Sequence, residues 1–181
     1  MATTHPIKTS ELPVTACHVL LVEDDPALRE TLSELLNNRG YEVREADGQQ
    51  KARANYAWTE VALIDLRLSQ GEGLGVLREI LGQQIGVECI IMTGYANMQV
   101  AVQCLNLGAF GFMEKPVKPE QIFQFLERAL ERRSLRLQLE QRMREVMAAA
   151  QLNMRVLNER VQLLEEASRR SEQLVHLYQL M

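Results

Sequence analysis

Mostly apolar runs fill 17–22, 61–65 and 87–92, the pattern of strands buried on both faces rather than of strands with one wet side. Two shorter stretches, Tyr41–Glu45 and Phe110–Met113, complete a set of five strands. Helical periodicity fills the gaps at 26–38, 47–56, 73–82 and 97–107. The first helix opens on Pro26 and stops at Gly40, and the fourth stops at Gly108, placing proline at the start and glycine just past the end. Strand and helix therefore alternate five times. The predicted class is α/β, with a doubly wound, five-stranded parallel sheet.

The pattern changes after Pro119, because the remaining 62 residues hold neither Gly nor Pro. If helical throughout, that stretch extends for roughly 90 Å at about 1.5 Å per residue, too far to pack on one small domain. A heptad supports a coiled coil: Met147, Met154, Val161, Ser168 and Val175 fall on one seam position, and Ala150, Leu157, Leu164, Ser171 and Tyr178 on the other. Arg160 and Glu165 then occupy flanking positions that attract in a parallel homodimer. Upstream the phase degrades. Arg133, Arg136 and Glu140 land on the seam while Leu135, Leu137 and Leu139 leave it, which predicts a stutter between about 131 and 142. The expected division is a disordered tail over 1–15, an α/β domain over 16–130 and a helical dimerisation segment over 131–181.

Composition narrows the class. A chain of 181 residues has room for one ordinary domain and an appendage. Met1–Thr15 is polar, with Pro6 and Pro13, and does not read as a signal peptide; no run of about twenty apolar residues offers a membrane span. Cys17, Cys89 and Cys104 are scattered in predicted strands and a helix, as reduced buried thiols of a cytoplasmic protein would be. Residues 126–181 carry ten Arg against eight Glu, leaving a net charge of −6 on 1–125 out of the total of −4. The tail arginines alternate with Glu, so direct nucleic-acid binding is not expected.

The chemistry gathers at strand ends. Glu23, Asp24 and Asp25 follow the first strand, Asp65 ends the third, Thr93 follows the fourth and Lys115 the fifth. In a parallel sheet the carboxyl ends of the strands line the ligand crevice, so these residues are expected to meet. Several ionised carboxylates at close range require a cation, and hard oxygen ligands suit Mg²⁺. Asp65 is then a nucleophile toward phosphorus, with Lys115 and the Thr93 hydroxyl facing the incoming phosphoryl oxygens. Asp25, followed by Pro26, reads as a helix cap.

Four segments, Val22-Glu23-Asp24-Asp25-Pro26, Leu63-Ile64-Asp65-Leu66-Arg67-Leu68, Met92-Thr93-Gly94-Tyr95-Ala96 and Glu114-Lys115-Pro116, occur in the order and at the strand ends of the landmark motifs of receiver domains. From 17 to about 130 the chain resembles response-regulator receivers of two-component signalling. The resemblance implies a flavodoxin-like sheet of order 2-1-3-4-5. It makes Asp65 the phosphoacceptor, Asp24 a direct ligand of Mg²⁺, Glu23 a ligand through water and the Arg67 backbone carbonyl the last protein ligand. Thr93 becomes the switch hydroxyl, Lys115 the phosphate-pairing lysine and Phe112 the switch aromatic, with Phe110 as a neighbouring aromatic. Arg67 and Tyr95 border the path of a hydrolytic water, both large enough to predict a long-lived phosphorylated state. Ser69 stands where receivers usually carry proline, which predicts a more mobile loop.

The implied partner is a histidine kinase or phosphotransfer protein, with a homodimer formed through the tail. The chain is expected to be a phosphoacceptor, with at most self-catalysed phosphotransfer and autodephosphorylation, and not an enzyme otherwise. Two other functions compete: a coiled-coil scaffold indifferent to phosphate, and a hydrolase, disfavoured because Arg67 stands where aspartyl-phosphate phosphatases need a second carboxylate. The pattern stops in mid-heptad, consistent with a free-standing regulator or with the receiver piece of a larger kinase, cyclase or ATPase regulator.

Overall fold

The computed structural model describes residues 17–69, 71–83, 86–94 and 98–179. The chain divides into two units, residues 1–134 and 135–181. In the first, β1 (His18–Val22), β2 (Glu42–Ala46), β3 (Val61–Asp65), β6 (Glu88–Thr93) and β7 (Gly111–Glu114) form one sheet of order β2-β1-β3-β6-β7. Every pairing in it is parallel. A separate ribbon pairs β4 (Arg67–Leu68) with β5 (Gly71–Glu72) antiparallel, so the segment read as a loop is partly laddered.

Alternation along the central strands sorts their side chains into two cores. Leu20, Val22, Ala62, Ile64, Cys89 and Ile91 pack with Ala52 of α2 (Gln49–Arg53), with Val76, Leu77 and Ile80 of α3 (Gly73–Gly82), and with Cys104 of α4 (Met98–Leu107). Val19, Leu21, Val61, Leu63, Ile90 and Met92 pack with Leu32 and Leu36 of α1 (Pro26–Asn38) and with Ile122, Leu126 and Ala129 from the first turns of α5 (Pro119–Gln179). Both faces are covered, which is why these strands read as apolar runs rather than as alternating patterns. At the start of the strands Arg132 lies 3.4 Å from the buried Glu88 carboxylate and Arg133 lies 3.2 Å from Glu60.

The expected elements need small corrections, each with a local cause. β2 begins at Glu42 rather than Tyr41, because the Tyr41 N–H closes α1 by donating to the Leu36 carbonyl while the Glu42 N–H starts the ladder on Cys17. Gly40, at φ +95°, makes that turn. The helix expected over 47–56 is only Gln49–Arg53, followed by a 3₁₀ turn over Tyr56–Trp58. Here the Asn55 side-chain amide takes the Lys51 carbonyl at 3.0 Å, the acceptor its own backbone N–H would use in a continuing helix. β6 and β7 each end one residue later than the sequence pattern indicates, at Thr93 and Glu114.

In the second unit the described residues belong to α5, and their large apolar side chains from Leu135 to Leu164 are exposed. Residues 1–15, expected as a disordered tail, and Tyr95 lie outside the described residues, and the side chains of Val175 and Tyr178 are likewise not described.

Candidate functional site

Parallel ladders continue past the strand ends, and that continuation aligns the site. The Glu23 N–H donates to the Ala46 carbonyl at 3.0 Å, Leu66 to Met92 at 3.1 Å and Lys115 to Thr93 at 2.8 Å. The backbone of Glu23, Thr93 and Lys115, and of Leu66 next to Asp65, is thereby fixed by the sheet. One carboxylate oxygen from each of Glu23, Asp24 and Asp65 then falls within 4.8 Å of the others.

Lys115 organises two of the three carboxylates. Its Nζ donates to Asp65 Oδ2 at 2.7 Å and to Glu23 Oε2 at 2.5 Å. Glu23 is 1% and Asp65 6% exposed, so these are charge-assisted bonds in a water-poor setting. Burial pushes the Glu23 carboxyl above its usual range, only partly offset by Lys115. Burial alone would pull the Lys115 ammonium down, but its bonds to Asp65 and Glu23 outweigh that and hold it above its ordinary value. Asp24 is more open. Burial alone would raise its carboxyl, but hydrogen bonds together outweigh this and leave it below its ordinary value, among them the Ser69 N–H to Asp24 Oδ2 at 2.8 Å. Ser69, where receivers usually carry proline, therefore supplies a backbone donor that proline lacks.

Asp65 Oδ1 accepts from the Arg67 N–H at 3.0 Å, so both carboxylate oxygens are held in place by donors. Lys115 balances only one of three gathered negative charges, and the donors are all hard oxygens; that set fits Mg²⁺. Thr93 is buried at the end of β6. The two aromatics part company: Phe112 packs against the core that holds Ile91 and Cys104, whereas Phe110 meets Phe125 edge-on at 6.4 Å and sits under the Arg132 guanidinium.

Two contributors, Arg29 and Gly73, escape a reading of the sequence, and a third has a role beyond the one predicted for it. Asp25, expected as a cap, does receive the Ala27 and Leu28 N–H groups at 2.9 and 3.1 Å, and it also donates its own N–H to Glu23 Oε1 at 3.3 Å. Arg29, one turn into α1, donates from Nη1 to the Glu23 carbonyl at 2.7 Å and reaches the Asp24 carbonyl at 3.4 Å, gripping the backbone of the acidic pair. Gly73 lies so near β3 that a Cβ there would stand 1.9 Å from the Asp65 carbonyl oxygen. Position five beyond an acidic pair, and glycine opening a helix, are the only sequence signals for the last two.

Comparison with known proteins agrees with this geometry. Residues 19–127 match the family model described as the response regulator receiver domain. The acid tolerance regulatory protein ActR of Rhizobium meliloti (strain 1021) is 36% identical over 106 residues, covering 58% of this chain and 55% of the relative. The two-component response regulator PprB of Pseudomonas aeruginosa is 31% identical over 155 residues, 82% of this chain and 52% of the relative. The chain thus spans about half the length of these relatives. Among solved structures, a CheY-like receiver domain protein from Methanospirillum hungatei JF-1 superposes with a TM-score of 0.64 at 28% identity, over 67% of this chain and 99% of the other. NtrX from Brucella abortus gives 0.64 at 29% identity, over 69% of this chain and 29% of NtrX. With the sheet order, the acidic cluster beside a lysine and the match over more than half its length in agreement, the chain belongs to the response regulator receiver domain family.

Proposed function

We propose that the chain is a phosphorylation-dependent switch in which Asp65 accepts a phosphoryl group from a histidine kinase or phosphotransfer protein and passes the change to a dimeric helical segment. The supporting observation is the buried bridge from Lys115 to Asp65 and Glu23. An Asp65 carboxylate oxygen forms the new bond to phosphorus as the phosphorus–nitrogen bond of the donor breaks, its electron pair staying on the leaving imidazole nitrogen. Asp24, Asp65, the Arg67 carbonyl and, through water, Glu23 would hold Mg²⁺, which when bound would neutralise charge on the phosphoryl oxygens. Lys115 exchanges part of its bonding to Asp65 for a phosphoryl oxygen, and the Thr93 hydroxyl donates to another. Phe112, packed against the same core as Val100 of α4, is placed to follow a movement of Thr93 and to alter the α4–β7 surface. Assignment of the tail as a homodimer through the heptad seam rests on its sequence pattern and on its exposed apolar side chains.

Incubation with acetyl phosphate and Mg²⁺, read on a phosphate-affinity gel, tests the assignment. Wild-type chain is expected to shift; Asp65→Asn is not, because an amide is no nucleophile, and Asp24→Ala fails through lost metal. Undiminished labelling of Asp65→Asn, or labelling in EDTA, refutes the site. Light scattering before and after labelling separates switch from scaffold, since a phosphate-indifferent scaffold leaves oligomer size unchanged.

A further inference from the structure

Large apolar side chains of α5 beyond the receiver recur with spacings that the heptad does not reproduce. Leu139, Met143, Val146, Ala150, Met154 and Leu157 follow one another at intervals of 4, 3, 4, 4 and 3, and Val161 comes four later, so that Leu139, Ala150 and Val161 are 11 residues apart. The five large side chains among those six are 51% to 68% exposed. The opposite side of the helix carries local polar pairs instead, Gln141 to Glu145 at 3.2 Å and Arg155 to Glu159 at 3.7 Å. Leu152, Val156 and Leu163 are also off the line, but Glu159 and Arg160 interrupt them. Two shallow grooves flank Met143, one of about 220 Å³ lined by Arg142, Met143, Val146 and Met147 and one of about 400 Å³ lined by Glu140, Met143, Arg144 and Met147. Grooves of this kind between successive turns receive the knobs of a facing helix.

We infer that a second copy of this chain, running parallel, covers this line, and that the contact steps by four residues twice across Val146, Ala150 and Met154, placing Val146 on the seam and Met147 beside it. The inference rests on the proposed self-association of the tail and fixes its register. The occupant follows from charge. A parallel pair sets Arg160 of one copy against Glu165 of the other, whereas an antiparallel pair places Glu165 and Glu172 of both copies along the same flank. The six large side chains of this line together with Leu135 and Leu164, at roughly 100 Å² exposed each, come to about the 800 Å² per partner that a standard interface needs. Eleven residues in three turns is 3.67 per turn, so the two helices run nearly straight there and take up a left-handed supercoil only where seven-residue spacing resumes.

Single-cysteine variants of the full chain test it, the three native thiols being buried. Under mild oxidation Ala150→Cys and Val146→Cys are expected to form covalent dimers about tenfold faster than Met147→Cys, because only seam positions bring Cβ atoms to disulfide distance. Faster trapping of Met147→Cys overturns the step and leaves the dimer standing. A dimer in which Ala150→Cys is not trapped overturns the parallel arrangement. A monomer by light scattering removes both the inference and the dimer beneath it. Deleting Met147–Ala150 supplies an independent arm: it brings Met154 to four residues after Val146 and makes the spacing a continuous heptad, so the dimer is expected to tighten, whereas weakened association refutes the step.

Discussion

Replacing Gly73 by alanine inserts one methyl group between the start of α3 and the end of β3. Its Cβ would lie 1.9 Å from the Asp65 carbonyl oxygen, 2.7 Å from the Leu66 Cα and 2.8 Å from the Asp65 carbonyl carbon. All three neighbours are backbone, so no rotamer change relieves the overlap. Restoring even a close carbon–oxygen contact of about 3.3 Å requires the helix and strand to separate by about 1.4 Å. Overpacking of this order costs about 1–3 kcal/mol, which for a domain of this size lowers Tm by roughly 4–12 °C. The displaced strand carries Asp65, and a misplacement of about 1 Å at a reacting group costs about 10²-fold in rate. Acetyl-phosphate labelling of Gly73→Ala should therefore fall about 100-fold while a folded fraction persists by circular dichroism. Gly82→Ala, at the other end of the same helix, is the control: nothing lies within 4 Å of its Cβ, and it should be neutral or stabilising by about 0.4–1 kcal/mol. Wild-type melting and labelling in Gly73→Ala would refute the reasoning.

Asp25→Ala removes the acceptor for two N–H groups at the start of α1 and should cost about 1 kcal/mol, read as a lower melting temperature; an unchanged melt contradicts the cap. The Lys115 ammonium is held above its ordinary 10.5, so its link to Asp65 and Glu23 contributes stability in full below pH 10.5 and loses it only as pH rises through the higher folded value. The ¹³Cε resonance of Lys115 should accordingly show no titration below pH 10.5, and a midpoint beneath that would refute the bridge. Burial pushes the Cys17 thiol up to about 12 and raises Cys89 and Cys104 as well. Native chain at pH 8 should not react with a disulfide reagent, and three thiols should appear on unfolding; rapid labelling of the native state would contradict their burial.

Hydrophobic pattern alone determined much of this protein. Apolar runs without alternation demanded a sheet covered on both faces, Pro26 and Gly40 set the bounds of α1, and Asp25 was legible as its cap because capping is local chemistry. The strand ends named Glu23, Asp24, Asp65, Thr93 and Lys115, since the carboxyl ends of parallel strands converge whatever the details of packing. Edge strand β2 was misplaced by one residue because few of its side chains face a core, so register came from the Tyr41 and Glu42 backbone bonds instead. The helix α2 was overextended because Asn55 diverts a carbonyl, a choice a periodicity does not record. Only the folded chain put Lys115 between two particular carboxylates, the Ser69 N–H on Asp24, the Arg29 guanidinium on the carbonyls of Glu23 and Asp24, and Gly73 against Asp65. A pattern of apolar and polar positions fixes which face a residue occupies, because burial is a one-body property; which atoms then meet is a many-body outcome of packing, and only the tertiary structure decides it.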